Sequence, residues 1–254
     1  MNNAEKKKIK NYILELFKDL EFEEESHRYS LKSHPEKKLV SVTSLIKKLD
    51  SFDEEYWSKK KAKELGVSAE QIKDEWKNIS KAATERGTIV HKYMENKALG
   101  RKADNSGVEK YRSTLMRLYR DLVKKYKVIC TELRMYDPDL GISGTCDKLA
   151  FNVETKKFAL LDYKTGKPLE KNPTYVDKST GEVKESKFKL NPPYSHLPNS
   201  NYWKYCLQLS VYRYILGKRG IKVDEGLLIH ISEDDFKYHP VEFLDVEPLW
   251  SLLI

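Results

Sequence analysis

The sequence predicts an α/β (α+β) domain, because the period of its apolar residues changes along the chain. Residues 4–20 and 108–126 place apolar side chains on one helical stripe each, the spacing of a helix with one buried face. Between residues 127 and 164, three apolar stretches follow one another across short turns, as in a strand meander. A helix over 202–216 and a strand over 226–232 then complete a core ordered helix, three strands, helix, strand.

Ile9, Tyr12, Ile13, Leu16 and Phe17 set the stripe of the first helix. His27-Arg28-Tyr29-Ser30 and Leu39-Val40-Ser41-Val42 read as short strands around the turn-prone Ser33-His34-Pro35. Thr43 or Ser44 is placed to cap a short helix. Residues 53–66 and 68–78 predict two further helices, and 82–99 another that is helical apart from Gly87. Val108, Tyr111, Leu115, Leu118, Leu122 and Tyr126 form the next apolar stripe. Its basic counterpart, Arg112, Arg117, Arg120, Lys124 and Lys125, is either a solvated face or a phosphate contact.

The strands are expected at 127–136, 142–151 and 157–164, with Asp137-Pro138-Asp139-Leu140-Gly141 supplying turn residues between the first two. Residues 165–200 form a lysine- and proline-rich insertion, in which Tyr175-Val176-Asp177 and Glu182-Val183-Lys184 flank a Ser-Thr-Gly turn. An insertion of that length is either mobile or functional, and its exit from the third strand makes it a candidate flap over the substrate path. Gly217 is a natural end for the last long helix, 238–243 the hairpin partner of strand 226–232, and Glu247 the start of a closing helix. The expected organisation is an N-terminal helical and hairpin elaboration, 1–80, packed on a core over 81–254.

The formal charge of +8 favours a polyanionic partner such as nucleic acid or an acidic membrane surface. The start of the chain carries no stretch resembling a signal peptide, and no run approaches a membrane span. Cys130, Cys146 and Cys206 are odd in number and lack C-x-x-C spacing, which argues against a disulfide framework and against a zinc or iron–sulfur cluster. A reduced, cytoplasmic protein is expected.

Residues 158–167, Phe-Ala-Leu-Leu-Asp-Tyr-Lys-Thr-Gly-Lys, hold the sharpest local signal. Alternate residues of a strand share a face, so Asp162 and Lys164 emerge together beside the residues that anchor the strand in the core. An unpaired charge there is costly, so the pair must be compensated or useful. Acid-x-lysine recurs elsewhere in this chain, as at Glu36/Lys38 and Glu154/Lys156, where a solvated ion pair is the ordinary reading. The apolar run before Asp162 and the Thr165-Gly166 turn after Lys164 set this pair apart. Asp147, in the second strand, falls near the same end of the hairpin, with Glu132 in the strand beside it. His91 stands one helical turn beyond Gly87. Carboxylates and an imidazole together can bind a divalent cation, and an oxygen-rich set suits Mg²⁺ or Mn²⁺.

Four motifs in order, Gly87-x-x-x-His91, Gly144-x-x-Asp147, Asp162-Tyr163-Lys164 and Gln208-x-x-x-Tyr212, resemble the series of RecB-like nucleases in the PD-(D/E)XK superfamily. The similarity runs from about His27 to Phe243 and is greatest to phage-encoded and mitochondrial genome maintenance exonuclease-like proteins. It is carried also by Ser41-Val42-Thr43-Ser44-Leu45-Ile46, by Glu85-Arg86-Gly87-Thr88, and by the stretch from Asn201 through Trp203 to Leu209. The chain departs from relatives that carry a four-cysteine iron–sulfur staple, since it has only three cysteines.

The resemblance implies a restriction-endonuclease-like core, with a central mixed sheet flanked by helices, and a metal-dependent DNA nuclease. It implies that His91, Asp147, Asp162 and the Tyr163 carbonyl ligate Mg²⁺ or Mn²⁺. Lys164 would activate the attacking water and offset charge on the phosphate, and Glu132 would serve a second metal or its water. Gln208 and Tyr212 would steady Lys164 or the substrate strand, although Tyr212 on its own reads equally as core. Trp203, Tyr202, Lys204 and Arg86 are candidate contacts to DNA, the aromatics being either stacking platforms or ordinary rim residues. The expected substrate is single-stranded or end-bearing DNA and the expected activity an exonuclease, in company with replication or recombination proteins and away from membranes. A structure-specific or nicking endonuclease and a non-catalytic DNA-binding subunit are the rivals.

Overall fold

The computed structural model describes residues 1–24, 26, 28–177 and 179–253; His27, expected to open a strand, lies outside them. Helix α1 (Asn3–Leu16) starts at a reciprocal capping box between Asn2 and Glu5. It stops at Leu16 rather than residue 20, because Leu20–Glu23 alternates buried and exposed side chains as strand β1, antiparallel to β2 (Arg28–Leu31). The second predicted strand shrinks to β3 (Val40–Ser41), which joins the main sheet instead of pairing with β2. Ser41, and neither Thr43 nor Ser44, caps α2 (Val42–Lys47) by accepting the Ser44 N–H at 3.1 Å.

Helix α3 (Glu54–Leu65) is followed by α4 (Ala69–Ala98), a single 30-residue helix where the sequence predicted two. Neither glycine nor proline interrupts the junction, so the helical ladder continues through residue 80 and through Gly87. A 3₁₀ turn at Glu109–Tyr111 leads into α5 (Arg112–Lys125). Part of α5's basic face has partners within the chain: Arg117 donates to the Asp234 carbonyl and Lys125 pairs with Asp121.

Strands β4 (Tyr126–Asp137), β5 (Ile142–Asn152) and β6 (Phe158–Lys164) form the predicted antiparallel meander. The insertion carries a small hairpin, β7 (Thr174–Val176) and β8 (Val183–Glu185). Helix α6 (Asn201–Lys218) runs through Gly217, and Gly220, at φ +77°, follows its end. Strands β9 (Val223–Ile231) and β10 (Phe236–Pro240) complete the main sheet, ordered β10-β9-β6-β5-β3 with β4 also on β5. Its β6–β9 and β3–β5 pairings are parallel and the others antiparallel, so the sheet is mixed. The closing segment, Glu247–Leu253, is 3₁₀.

Helices pack on both faces of the mixed sheet. Val90 and Met94 of α4 and Leu115 and Leu118 of α5 pack on Ala150, Ala159 and Tyr163. Ile13, Leu45, Leu207 and Val211 pack with Leu133, Leu149 and Leu160 in the other cluster. No described helix is long and apolar enough to cross a membrane. Cys130, Cys146 and Cys206 are buried and free.

The insertion is tied down at its far end. Asp50 accepts from Asn199 at 2.9 Å and pairs with Lys204 at 2.8 Å, while Asn191 donates to the Asp50 carbonyl at 3.0 Å. Burial alone would raise the Asp50 carboxyl, but Lys204 and Asn199 outweigh it and hold it below its ordinary value of 3.8. A carboxyl depressed by folding stabilises above its unfolded pKa and loses that contribution as pH falls through the folded one. Asp50→Asn is therefore expected to lower urea stability at neutral pH and to make a smaller difference below about pH 4. An equal loss at both pH values would show that the charge of Asp50 is not what holds the insertion.

Candidate metal centre and active site

The site forms where two strands part. Pairing between β5 and β6 ends at Lys148 and Leu161, one step before Asp147 would face Asp162. Strand β6 continues against β9 alone, leaving its other edge open. The Tyr163 N–H on that edge donates to Asp147 Oδ2 at 2.7 Å, so a carboxylate takes the place of a ladder carbonyl. Asp162 and Lys164 share the face that carries Leu160 into the core beneath α6, while Tyr163 packs on the α4–α5 side. Lys164 Nζ lies 2.6 Å from Asp162 Oδ2 and 4.1 Å from the centre of the Tyr205 ring. Asp162 is buried and Lys164 partly buried, an ion pair backed by an aromatic face.

Helix α4 brings His91 to the same edge. Its Nδ1 is 3.3 Å from Asp147 Oδ2 and its Nε2 is 2.9 Å from the Tyr163 carbonyl oxygen. One turn earlier, Gly87 runs past Thr165; an added Cβ would sit 3.6 Å from its Oγ1, an ordinary contact that leaves room for a side chain. Glu132 enters from β4 with φ +46°, a left-handed conformation costing about 1–3 kcal/mol for a residue other than glycine. The ligand atoms of His91, Glu132 and Asp147 all lie within 4.8 Å of one another. This set differs from the one the family resemblance implied: Glu132 joins it, while Asp162 is turned to Lys164.

The charges are crowded and dry. Burial, reinforced by the Asp147 charge, pushes the Glu132 carboxyl up to about 7. Burial likewise raises Asp162 to about 6, with Lys164 opposing and Asp147 adding to the rise. Asp147 is held below the usual carboxylate range, because His91 overcomes its burial. His91 is correspondingly raised to about 9, burial opposing and Asp147 prevailing. Lys164 is raised by Asp162 despite burial, so it stays an ammonium. Asp162 Oδ2 accepts no well-aligned hydrogen bond among the described residues, although Lys164 lies beside it. Three carboxyls gathered around one imidazole and one ammonium, two of them resisting ionisation, match the donor chemistry of a hard divalent cation. With both ring nitrogens of His91 engaged, ligation would free one of them from its present partner.

The other predicted residues divide. Gln208 Nε2 donates to the Tyr212 hydroxyl at 3.0 Å, and the buried Tyr212 ring lies against Gly144. Tyr202 is a core residue rather than a DNA contact: it is 1% exposed and its hydroxyl donates to the Pro240 carbonyl. Lys204 is engaged by Asp50, and Trp203 is half-buried with its indole N–H on the Lys171 carbonyl. Arg86 is half-buried on α4, its Nε buried with no acceptor among the described residues. Sequence reasoning missed Lys148, which is buried behind Asp147 and donates to the Met94 carbonyl and the Tyr163 hydroxyl. Burial pushes its amine down to about 8, Asp147 and Glu132 opposing. A lysine one residue after the aspartate carried no distinguishing signal in so lysine-rich a chain.

Gly144 is required by its neighbour. A Cβ there would sit 2.7 Å from Tyr212 Cε1 and 3.0 Å from its hydroxyl. Gly144→Ala is expected to destabilise by about 1–3 kcal/mol in chemical denaturation, as for an overpacked core. Adding Tyr212→Leu should return part of that loss, and strict additivity of the two changes would exclude the clash as its cause.

No family model matches this chain, and no curated protein matches it. Among solved structures, the crystal structure of SSO0001 is similar to it at a TM-score of 0.34, with 16% identity across 84% of this chain and 72% of that one. A likeness at that level carries no argument about the site.

Proposed function

We propose that this chain is a divalent-metal-dependent DNA nuclease of the RecB-like PD-(D/E)XK type, acting as an exonuclease on single-stranded or end-bearing DNA. The observation that carries the reading is the convergence of His91, Glu132 and Asp147 within 4.8 Å, beside the Asp162–Lys164 ion pair at one parted sheet edge. His91, Glu132 and Asp147 would hold Mg²⁺ or Mn²⁺, with Asp162 and the Tyr163 carbonyl adjacent. A cation bound there polarises the phosphate and lowers the pKa of its water. Lys164 supplies a second, permanent positive charge, which Asp162 fixes in position and Tyr205 screens on one side. That ammonium meets the negative charge growing on the phosphate without having to reorganise. Asp147 does two jobs, holding the Tyr163 amide at the open edge and keeping the His91 ring in place.

Digestion of end-labelled single- and double-stranded oligonucleotides with Mg²⁺, Mn²⁺ or EDTA tests the reading. Cleavage with metal and none with EDTA is expected, and a supercoiled circle, which has no ends, should survive. Cutting of the circle would make the enzyme an endonuclease on the same site. Absence of any metal-dependent cleavage would leave a non-catalytic DNA-binding subunit.

A further inference from the structure

We infer that the cleft between the β1–β2 hairpin and β4 holds the phosphodiester backbone of the substrate's single strand beside the candidate metal centre; this rests on the nuclease reading above. The cleft has a volume of about 720 Å³ and is lined by five cations, Arg28, Lys32, Lys37, Lys38 and Arg134. Among the described lining residues, two carboxylates, Glu21 and Glu23, oppose them.

The cations are placed rather than neutralised. Lys32 donates to the Lys18 carbonyl at 2.9 Å and Lys37 to the Pro138 carbonyl, contacts that fix an ammonium and leave its charge intact. Arg134 lies 5.0 Å over the Phe22 ring, and Phe22 packs on Tyr29 at 4.7 Å with the rings tilted by 40°, lining one side of the cleft with aromatics. Its carboxylate partner Glu24 is 3.9 Å away and 86% exposed, a pair of the kind that contributes little in water. Cations along one path beside an aromatic surface are what a single strand of nucleic acid recruits. On the basic face of α5, by contrast, Lys125 pairs with the Asp121 carboxylate.

The cleft also leads to the reacting end of the sheet. The Tyr29 hydroxyl shares a 2.9 Å hydrogen bond with the Thr145 hydroxyl, two residues before Asp147 on β5. Arg134 pairs in register with Thr145 and stands two residues after Glu132 on β4. Two strand residues span about 7 Å, so a backbone lying in the cleft reaches the metal-binding group without a break in the track.

The test is fluorescence anisotropy of a labelled single-stranded DNA oligonucleotide across a salt series, with Ca²⁺ in place of Mg²⁺. Arg28→Glu/Lys38→Glu alters two exposed side chains that hold nothing in the catalytic site. It is expected to weaken binding roughly tenfold and to flatten the log–log salt slope by about 1.4, at about 0.7 per lost contact. Lys7→Glu/Lys8→Glu on α1 makes the same change in net charge and should leave affinity within about twofold and the slope unchanged. Equal weakening by both pairs would reduce the effect to net charge and overturn the cleft, as would no effect of the first pair. A parent protein that cuts DNA and a cleft variant that binds as well as the parent would sink the cleft alone. A parent protein that binds no oligonucleotide would sink the cleft and the nuclease reading together.

Discussion

Lys164→Ala is expected to reduce turnover roughly 10²–10³-fold while divalent-metal binding persists, as for loss of one preorganised contact to the transition state. The substitution leaves His91, Glu132 and Asp147 in place, and it removes only the ammonium 2.6 Å from Asp162. It will also lower the melting temperature. Asp162 is 2% exposed, and stripping the partner from a buried carboxylate costs about 3–5 kcal/mol unless the group takes up a proton. Early melting therefore cannot separate a catalytic lysine from a structural one, and a double variant can. Asp162→Asn/Lys164→Ala removes both charges and should recover much of the stability lost in Lys164→Ala, yet remain inactive per folded molecule. Recovery of activity along with stability would reduce the pair to a salt bridge.

Asp147→Asn should abolish cleavage at least as thoroughly, by about 10³-fold or more. The amide oxygen of asparagine can still accept the Tyr163 N–H, so the sheet edge and the fold should hold. What disappears is the negative charge 3.3 Å from His91, which prevails over burial in raising that ring to about 9. The His91 resonance in the metal-free variant should then titrate well below that value, since burial acts unopposed by its nearest carboxylate. An unshifted titration would mean that Asp147 does not govern His91. An active Asp147→Asn enzyme would remove Asp147 from the metal centre.

Much of this site was legible because strand alternation is rigid. Asp162 and Lys164 had to share a face, and a turn between two consecutive strands had to bring Asp147 towards Asp162. His91 was legible from its spacing to Gly87, although the helix bearing it is longer than its sequence announced, since nothing in residues 79–81 stops a helix already running. Other features depend on neighbours remote in sequence. The left-handed backbone of Glu132 has no signal in Thr131-Glu132-Leu133; it stands where β4 lies against β5 beside the site. Lys204 looked free for DNA only because Asp50, its partner at 2.8 Å, lies 154 residues away. Tyr202 and Trp203 look alike as neighbouring aromatics, but the helix turns the first into the core and leaves the second half-buried. The C′ position after α6 falls to Gly220 rather than Gly217, and the Ile221 amide closes back on the Leu216 carbonyl at 3.0 Å.

His91, Glu132 and Asp147 are proposed to form one divalent-metal site. Isothermal titration of Mn²⁺ into the DNA-free protein measures it directly, with Asp147→Asn and Glu132→Gln as paired variants of matched thermal stability. Saturable binding is expected in the parent protein, lost in Asp147→Asn and weakened in Glu132→Gln. Mn²⁺ binding of equal affinity in all three proteins, or none in the parent, would contradict it.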